Sequence, residues 1–358
     1  MPPAADVVVI GGGVAGLAIA RALQAQGCSV IVFEARDRVG GRLRSVSVGE
    51  AGIDLGATWF WANEPRVVRL IDELGLETHP QYLEGDALYQ VPGGVHRIAG
   101  NPVDVPAGRL KAGMQGLAEA LAGSLSEGSL LLEQAVERVR DGGDMLCVEG
   151  PFGSIEARHV VIALPPVLAI RMLEFQPALP ESIRTVAETV PVWMGAVTKV
   201  VVRYEHAFWR DIGLAGSAMS QIGPMREVHD MSGPDGSPAA LFGFVPPLAP
   251  GAPTVTRDMV RGQLGDLFGP GAPEPTEVVI CDWRLEEFTT PPEADALQAY
   301  ETYGHPVFQV AAMGGRLHWA STETARECPG HIEGALSAGA RATAAILLDH
   351  GHQADPNS

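Results

Sequence analysis

Hydrophobic residues at the start of the chain form a short continuous run, a longer periodic segment and a second short run. Residues 7–10 are four consecutive apolar residues, which is typical of a parallel strand buried on both faces. Apolar positions then recur at helical spacing as far as Gln26, and residues 30–33 are again continuously apolar. This order predicts a strand, a helix and a second strand, the repeating unit of an α/β fold with a Rossmann-like parallel sheet.

The same periodicities predict further elements along the chain. Amphipathic spacing predicts helices over residues 65–75, 114–125, 256–268 and 332–349. Apolar or alternating runs predict strands over residues 130–140, 145–149, 159–164, 197–204, 239–245 and 278–283. Turn residues such as those at 92–94 make residues 81–105 a region of hairpins or loops. The short strands and turns after residue 197 favour an antiparallel sheet.

Three glycines between the first strand and helix have G-x-G-x-x-G spacing: Gly11, Gly13 and Gly16. Glycine allows a tight turn and close backbone approach to a pyrophosphate, and the helix N-terminus offers unpaired N–H groups to that anion. Glu34, at the end of the second strand, can accept hydrogen bonds from a ribose, and its charge disfavours a 2′-phosphate. This ordered context predicts a dinucleotide-binding site rather than an ordinary glycine loop.

Composition narrows the classes of function and partner. A chain of 358 residues is long enough for about two domains. Its net charge of −18 argues against nucleic-acid binding, which needs a basic surface, and is compatible with attraction of cationic substrates. The four cysteines lie far apart without a C-x-x-C pair, so neither a disulfide framework nor a metal site is expected. We expect no signal peptide and no membrane span, and therefore a cytoplasmic protein.

A second glycine turn follows Glu34 directly. Residues 34–45 read E-A-R-D-R-V-G-G-R-L-R-S, in which Gly40 and Gly41 precede Arg42. Guanidinium groups beside a second glycine turn suit another approach to a diphosphate. The segment resembles the E-A-R-x-R-x-G-G-R-x-x-S motif of the flavin-containing amine oxidase superfamily, which includes monoamine and polyamine oxidases. The resemblance implies FAD rather than NAD as the cofactor.

The family's arrangement implies two domains built from discontinuous segments. Residues 1–80, 106–165 and 305–350 are expected to form the FAD-binding domain. Residues 81–105 and 166–304 are expected to form a substrate-binding domain with a mixed or antiparallel sheet. Residues 351–358 are predicted to be a polar tail.

The interval between Trp59 and Met114 is short, at 54 residues. In typical family members this interval also holds a helical subdomain that covers the substrate cavity. We therefore expect the helical cover to be reduced. The cavity is then more open, closed by a partner subunit in a homo-oligomer, or suited to a bulky substrate.

Flavin contacts of the family can be carried over onto matching positions. Val136 matches a position whose backbone contacts the adenine, and residues 317–324 with 329–335 are similar to the family's second flavin motif. In that motif Ser321 replaces the usual glycine, and Thr322 stands where many members have an acid. The implied cofactor contacts are Gly11, Gly13, Val14, Ala15, Gly16, Glu34, Ala35, Arg36, Gly40, Gly41, Arg42, Gly56, Ala57, Thr58, Trp59, Val136, Ser321, Thr322 and Ile332.

Three residues are candidates for catalysis. Lys199, in Gly-Ala-Val-Thr-Lys-Val-Val, is similar to the family lysine that contacts flavin N5 through a water, although an isolated lysine is more often a surface residue. Trp283 matches a family tryptophan near that water and is equally well explained as a core anchor. His331 lies at a position where tyrosine is frequent in the family. It is either an acid–base group or a residue at the start of a helix without a chemical role.

The substrate region departs from the family pattern. Amine oxidases typically place two aromatic rings beside the flavin, but residues 289–294 have no aromatic ring at the second position. The region also lacks the cysteine by which monoamine oxidases attach the flavin, which implies non-covalent FAD. Trp59 and Trp61 either line the cavity or pack in the core.

The resemblance implies an oxidoreductase that takes a hydride from the α-carbon of a small-molecule amine onto flavin N5. Imine hydrolysis and reoxidation by O2, giving hydrogen peroxide, would complete the cycle. One alternative is a flavin-dependent desaturase or dehydrogenase of a biosynthetic intermediate on the same fold. Another is a flavin-binding partner protein without turnover.

Overall fold

The structure, a computed structural model, describes residues 4–49, 51–247, 254–291 and 300–353. Within these ranges the α-helices are α1 (Val14–Gln24), α2 (Pro65–Glu73), α3 (Gln115–Gly123), α4 (Pro166–Met172), α5 (Glu181–Ala187), α6 (Phe208–Asp211), α7 (Arg257–Phe268) and α8 (Ile332–Gln353). The strands are β1 (Ala4–Ile10), β2 (Val30–Phe33), β3 (Ser45–Val48), β4 (Ala51–Asp54), β5 (Thr78–Pro80), β6 (Asp86–Val91), β7 (Gly94–Ile98), β8 (Gly108–Leu110), β9 (Leu130–Leu131), β10 (Arg138–Asp141), β11 (Leu146–Gly150), β12 (Gly153–Ile162), β13 (Glu174–Gln176), β14 (Thr198–Tyr204), β15 (Leu214–Ser220), β16 (Glu227–Asp230), β17 (Ala239–Val245), β18 (Glu277–Asp282) and β19 (Leu317–Trp319).

The N-terminal unit forms as predicted because its strands are apolar on both faces. β1 pairs in parallel with β2 and β12, and Val8 lies opposite Ile31 on one side and Val160 on the other. These strands belong to an eight-stranded sheet in the order β13-β10-β11-β12-β1-β2-β9, with β19 paired to β12. β1, β2, β12 and β19 run in parallel, so their carboxyl ends share one edge, where α/β folds bind ligands.

The second sheet has seven strands in the order β18-β14-β17-β16-β15-β6-β7. Its pairs are antiparallel except β15 with β6. β14 lies between β17 and β18, which places Lys199 opposite Phe244 on one side and Cys281 on the other. Lys199 therefore lies on a strand that has a hydrogen-bonded neighbour on each side.

The C-terminal helix returns to the N-terminal unit. α8 packs against both α1 and α2. Gly339 allows close packing on α1, since a Cβ at that position would lie 3.3 Å from Ile19 Cγ1. Leu336 joins the core cluster around α1 and α3. None of the described helices combines the length and apolar composition needed to cross a membrane.

Two stretches differ from the sequence-based expectations. The strand predicted over 130–140 is divided into β9 and β10, because Glu133 has a positive φ of 56° and its N–H donates to Arg36 O. Val136 therefore lies in the connection between the two strands. α8 continues to Gln353 through the first residues of the predicted polar tail, and the rest of that tail, 354–358, lies outside the described ranges. Residues 292–294, where part of the substrate region was expected, also lie outside them.

The two sheets draw on different parts of the chain. Strands of the eight-stranded sheet lie within residues 4–33, 130–176 and 317–319, and those of the seven-stranded sheet within 86–98 and 198–282. β13 lies in the first sheet, although it follows residue 166. We propose that the first sheet belongs to the predicted FAD-binding domain and the second to the predicted substrate-binding domain.

Candidate active site

A cavity of about 380 Å³ opens at the edge of the first sheet where β1, β2 and β12 end. Residues that follow these strands directly, Gly11, Glu34 and Ala163, form part of its wall. Lys199 and Phe244 of the second sheet also line it. The cavity therefore extends from the Rossmann-like unit to the central strand of the second sheet.

Most of the sequence-predicted site residues meet at this cavity. Those that line it are Gly11, Gly13, Val14, Ala15, Glu34, Ala35, Arg36, Gly40, Gly41, Arg42, Ala57, Thr58, Trp59, Val136, Lys199, Trp283, Ser321, Thr322, His331 and Ile332. Gly16 and Gly56 do not line it. A Cβ at Gly16 would lie 2.1 Å from Gly11 O, and one at Gly56 would lie 2.1 Å from Arg42 O. These two glycines permit close approach between backbone segments of the protein.

The two glycine turns lie side by side at the start of α1. Gly13 and Gly40 form a β-bridge, and Gly40 N donates to Gly12 O at 2.9 Å. Gly13 is the N-cap of α1 and supplies no side chain, so the first N–H groups of the helix have no side-chain cap. A Cβ at Gly13 would meet nothing nearer than 3.9 Å. This opening beside uncapped N–H groups is suited to an anion such as a pyrophosphate.

The Glu34 carboxylate is fixed by backbone donors. Oε2 accepts from Gly12 N at 2.8 Å, and Oε1 accepts from Arg36 N at 2.9 Å. The residue is only 4% exposed and lines the cavity. A carboxylate oxygen can accept more than one hydrogen bond, so Glu34 retains capacity for ribose hydroxyl groups.

Two arginines near the second glycine turn connect it to distant parts of the chain. Arg42 forms a bidentate pair with Glu323, at 2.6 Å and 3.1 Å, and the Glu323 side chain is fully buried. Arg36 donates to Thr289 Oγ1 at 2.7 Å and pairs with Glu286 at 3.2 Å. Their guanidinium groups thus fix the cavity wall to residues 286–289 and 323.

Lys199 is buried at the cavity end of β14. Its Nζ donates to Gly56 O and lies 5.5 Å from the ring centre of Phe244 and 5.8 Å from that of Phe242. Burial lowers the pKa of Lys199 to about 8, although the Asp54 carboxyl opposes this change. At neutral pH the side chain is therefore mostly an ammonium, and it releases its proton more readily than an ordinary lysine does.

Trp283 lies next to the lysine segment. Its Nε1 donates to Leu55 O at 2.9 Å, and the residue is 2% exposed. Lys199 and Trp283 therefore hold successive carbonyl groups of the segment that follows β4. This hydrogen bond is compatible with Trp283 as a core anchor, while its place in the cavity wall keeps it beside the lysine.

The C-terminal segment brings two hydroxyl groups to the cavity. Ser321 Oγ is buried and has no hydrogen-bond partner among the described residues. Thr322 Oγ1 donates to His331 O and accepts from Gly330 N, both at 2.8 Å. Thr322 thereby closes the loop that leads into α8, and Ile332 brings the first turn of that helix to the cavity.

His331 lies directly before α8. Its Nδ1 is 2.9 Å from Glu64 Oε1, and its ring is 5.5 Å from Trp61 and 6.5 Å from Trp193. The His331 side chain is 39% exposed, whereas that of Glu64 is 5% exposed. The hydrogen bond to Glu64 raises the pKa of His331. All four residues line the cavity.

Comparison with known proteins identifies the family. The chain matches the family described as flavin containing amine oxidoreductase over residues 14–110 and 87–347, and it therefore belongs to that family. It is 29% identical to the putative flavin-containing monoamine oxidase AofH of Mycobacterium tuberculosis, over 96% of this chain and 97% of the relative. It is 26% identical to the putrescine oxidase of Kocuria rosea, over 96% and 95%.

Solved structures show the same fold. A putrescine oxidase with bound putrescine superposes with a TM-score of 0.84 at 23% identity, covering 96% of this chain and 99% of that one. Cyclohexylamine oxidase from Brevibacterium oxydans gives 0.82 at 23% identity, covering 98% and 100%. The predicted mixed α/β fold of flavin amine oxidases is confirmed.

Membership of this family makes the protein an FAD-dependent oxidoreductase, as the sequence predicted. The residues at the cavity fit that cofactor. The space at Gly13 beside uncapped helix N–H groups suits the diphosphate, and the fixed carboxylate of Glu34 suits a ribose. Ser321, in the C-terminal segment, also lines the cavity, and its buried hydroxyl has no hydrogen-bond partner among the described residues.

Sequence reasoning missed several residues of the cavity and its surroundings. Glu64 carries no motif and is far from His331 along the chain, so no local pattern could have joined them. Trp193 and Phe244 line the cavity but resemble ordinary core or surface aromatics in the sequence. Asp54 gives no signal beyond its place in a segment of small residues, and only the structure shows that it is fully buried.

Proposed function

We propose that this protein oxidises an amine to an imine, which water hydrolyses to a carbonyl compound and ammonia or a smaller amine. Dioxygen is the final electron acceptor and gives hydrogen peroxide. FAD, when bound, supplies the two-electron acceptor for this chemistry. The buried Lys199 at the end of the cavity is the observation that carries the proposal, because burial of a lysine ammonium is costly and rare outside functional sites.

The proposed cofactor residues would act as three groups. Uncapped N–H groups at the start of α1 would bind the diphosphate, and Glu34 would bind a ribose. Ser321 and the N-terminal turn of α8 would contact the flavin. We propose that the Arg42–Glu323 pair holds the second glycine turn against the C-terminal segment.

Lys199 would move or hold a proton at the reacting end of the cavity. Its Nζ is oriented by Gly56 O, and its pKa of about 8 leaves both protonation states accessible. Trp283 would position the same segment through Leu55 O. The absence of a cysteine among the described cavity-lining residues supports non-covalent attachment of FAD.

The decisive experiment is an anaerobic screen of monoamines, polyamines, amino acids and non-amine metabolites against the FAD-bound protein. Bleaching of the flavin absorbance, followed under air by peroxide and ammonia, is the expected result. In the Lys199→Met variant we expect FAD to remain bound while reduction or reoxidation slows by about 10²-fold, the usual contribution of a proton-transfer group. Lys111→Met removes an exposed lysine paired with Glu77 and should behave as wild type.

The outcomes separate the competing functions. Wild-type rates in Lys199→Met would disprove the role of the lysine. Bleaching by a non-amine metabolite without peroxide under air would favour the desaturase or dehydrogenase. This alternative is supported by Thr289 and Thr290, two buried residues without an aromatic ring in the region where amine oxidases typically have one. Failure of every metabolite to bleach the flavin would favour a partner protein without turnover.

A further inference from the structure

Glu64 and His331 are brought together by the junction of two helices. Glu64 directly precedes α2, and His331 directly precedes α8. Glu333, in the first turn of α8, accepts from Arg66 N at 2.9 Å and Val67 N at 3.0 Å. Because this carboxylate caps α2 from α8, the two helix N-termini are held together and the Glu64–His331 pair is fixed.

The hydrogen bonds define which nitrogen of the neutral His331 ring carries the hydrogen. Glu64 accepts from Trp61 N through Oε2 at 3.0 Å and contacts His331 Nδ1 through Oε1 at 2.9 Å. A carboxylate that accepts at both oxygens requires Nδ1 to carry the hydrogen. Nε2 then has the lone pair of the neutral ring, and it makes no hydrogen bond to any described residue.

The surroundings allow His331 to gain and lose a proton. The N-terminus of α8 carries a positive partial charge that disfavours an imidazolium, whereas the adjacent Glu64 carboxylate stabilises it. Other charged groups at this junction are paired: Arg66 lies 2.9 Å from Glu333 and 3.1 Å from Glu327. Arg42 is paired with Glu323, and Lys199 Nζ donates to Gly56 O.

An amine oxidase must remove a proton before it can oxidise its substrate. Aliphatic amines are ammonium ions at neutral pH, since their pKa lies near that of lysine, about 10.4. An ammonium has no lone pair to assist loss of hydride from the α-carbon. Lys199 is mostly protonated below its pKa of about 8 and is therefore a poor acceptor at neutral pH.

We propose that Glu64 and His331 form a proton-accepting dyad in which Nε2 of His331 takes one proton from the substrate ammonium. The products are the neutral amine and an imidazolium, whose charge the Glu64 carboxylate offsets. His331 touches the substrate and is the base, while Glu64 acts through it as a positioning residue. The proton can leave to solvent because the His331 side chain is 39% exposed. This inference rests on the proposed amine oxidase activity.

The test is the pH dependence of flavin reduction by amines, measured by anaerobic stopped flow. In wild type, the second-order rate constant for flavin reduction should rise with pH through the pKa of His331, which lies above its ordinary value. Glu64→Gln removes the neighbouring charge, so this acid limb should move to lower pH by about 1 unit or more. Glu327→Gln removes a nearby exposed carboxylate that does not contact His331, and its acid limb should stay in place.

Replacement of the base gives an independent readout. His331→Gln should lower kcat/KM by about 10²-fold for strongly basic amines at pH 7. The loss should shrink along a series of amines with lower pKa and at pH values near 10, because solution then supplies the neutral amine. Bound FAD absorbance and thermal midpoint report whether each variant is folded, and histidine nitrogen NMR reports the tautomer of residue 331.

Three results would contradict the dyad or the activity on which it rests. An unchanged acid limb in Glu64→Gln, with wild-type bleaching intact, would overturn the dyad and leave the amine oxidase proposal standing. A His331→Gln loss that is constant across amine pKa would also overturn the dyad alone, because a purely structural role gives that result. Failure of every amine to reduce wild-type flavin would overturn the proposed activity and the dyad together.

Discussion

At the scale of single residues, Asp54 and Lys199 are two interacting ionisable groups whose burial disfavours their charged forms. Asp54 is fully buried, and its Oδ1 accepts from Ser45 Oγ at 2.6 Å and Met114 N at 2.7 Å. Its Oδ2 has no hydrogen-bond partner among the described residues. Burial raises the pKa of Asp54 to about 6, while burial lowers that of Lys199 to about 8. The two groups attract each other, which moderates both changes.

Asp54→Asn is expected to change how stability depends on pH. Because the folded-state pKa of about 6 exceeds the ordinary value of 3.8, protonation favours the folded state. The stability from this group is present below pH 4 and is lost as pH rises through 6. Relative to wild type, the variant should therefore gain about 1 kcal/mol between pH 5 and pH 7.5.

Denaturant unfolding of both proteins at the two pH values measures this difference. Asp266→Asn, which removes an exposed carboxylate on α7, provides the control and should show no comparable change. A stability difference between Asp54→Asn and wild type that is the same at pH 5 and pH 7.5 would show that Asp54 is already ionised in the folded protein at pH 5.

At the scale of elements, the glycines of one motif serve two purposes. Gly16, in the first turn of α1, packs against the end of β1 and the turn that follows it. A Cβ at this position would lie 2.1 Å from Gly11 O and 3.0 Å from Val9 Cγ1. Gly13 has a negative φ of −79° and open space on its Cβ side. The fold requires a glycine at position 16, whereas the glycine at position 13 leaves room at the cavity.

Substitution by alanine should separate these roles. Gly16→Ala is expected to lower the thermal midpoint of the FAD-free protein, because overpacking costs about 1–3 kcal/mol. Gly13→Ala should leave that midpoint nearly unchanged but weaken FAD binding at least about tenfold, since the methyl group would occupy space needed by the diphosphate. Calorimetry on FAD-free protein and titration with FAD measure the two effects.

Gly262→Ala is the matched control for these substitutions. Gly262 lies within α7 with open space around it, so alanine should stabilise the helix by up to about 1 kcal/mol without affecting FAD binding. Undiminished FAD affinity in Gly13→Ala would contradict the placement of the diphosphate at this turn.

At the scale of the whole molecule, the cavity is bounded by elements from both sheets and retains an open side. Trp193 and Met194 line it and are 37% and 36% exposed. The alignment with the Mycobacterium tuberculosis relative spans 450 positions, although this chain has 358 residues, so the relative carries segments without a counterpart here.

The cysteine positions lead to a prediction about the cofactor. Cys28, Cys147 and Cys281 are buried, Cys328 is exposed, and none lines the cavity. Acid or heat denaturation should therefore release FAD into the filtrate, where chromatography identifies it. Cys281→Ser and Cys328→Ser should release the same fraction as wild type. Flavin that stays with the denatured chain would contradict non-covalent attachment.

The sequence by itself determined the N-terminal strand–helix–strand unit, the FAD family and the start of α8 at residue 332. These features are local, because apolar periodicity and glycine spacing act over a few residues. The broken strand at 130–140 was not predictable in this way, since backbone hydrogen bonds from residues 133 and 134 to Arg36 and Glu34 decide it.

Only the tertiary structure decided which side chains meet at the cavity. Lys199 was recognisable from its flanking sequence, but its contact with Gly56 O depends on packing between β14 and the segment after β4. The Glu64–His331 pair depends on two helices whose N-termini are brought together by α8 packing on α2. A sequence pattern reflects interactions between residues that are close along the chain. Contacts between residues that are hundreds of positions apart form only when the chain folds.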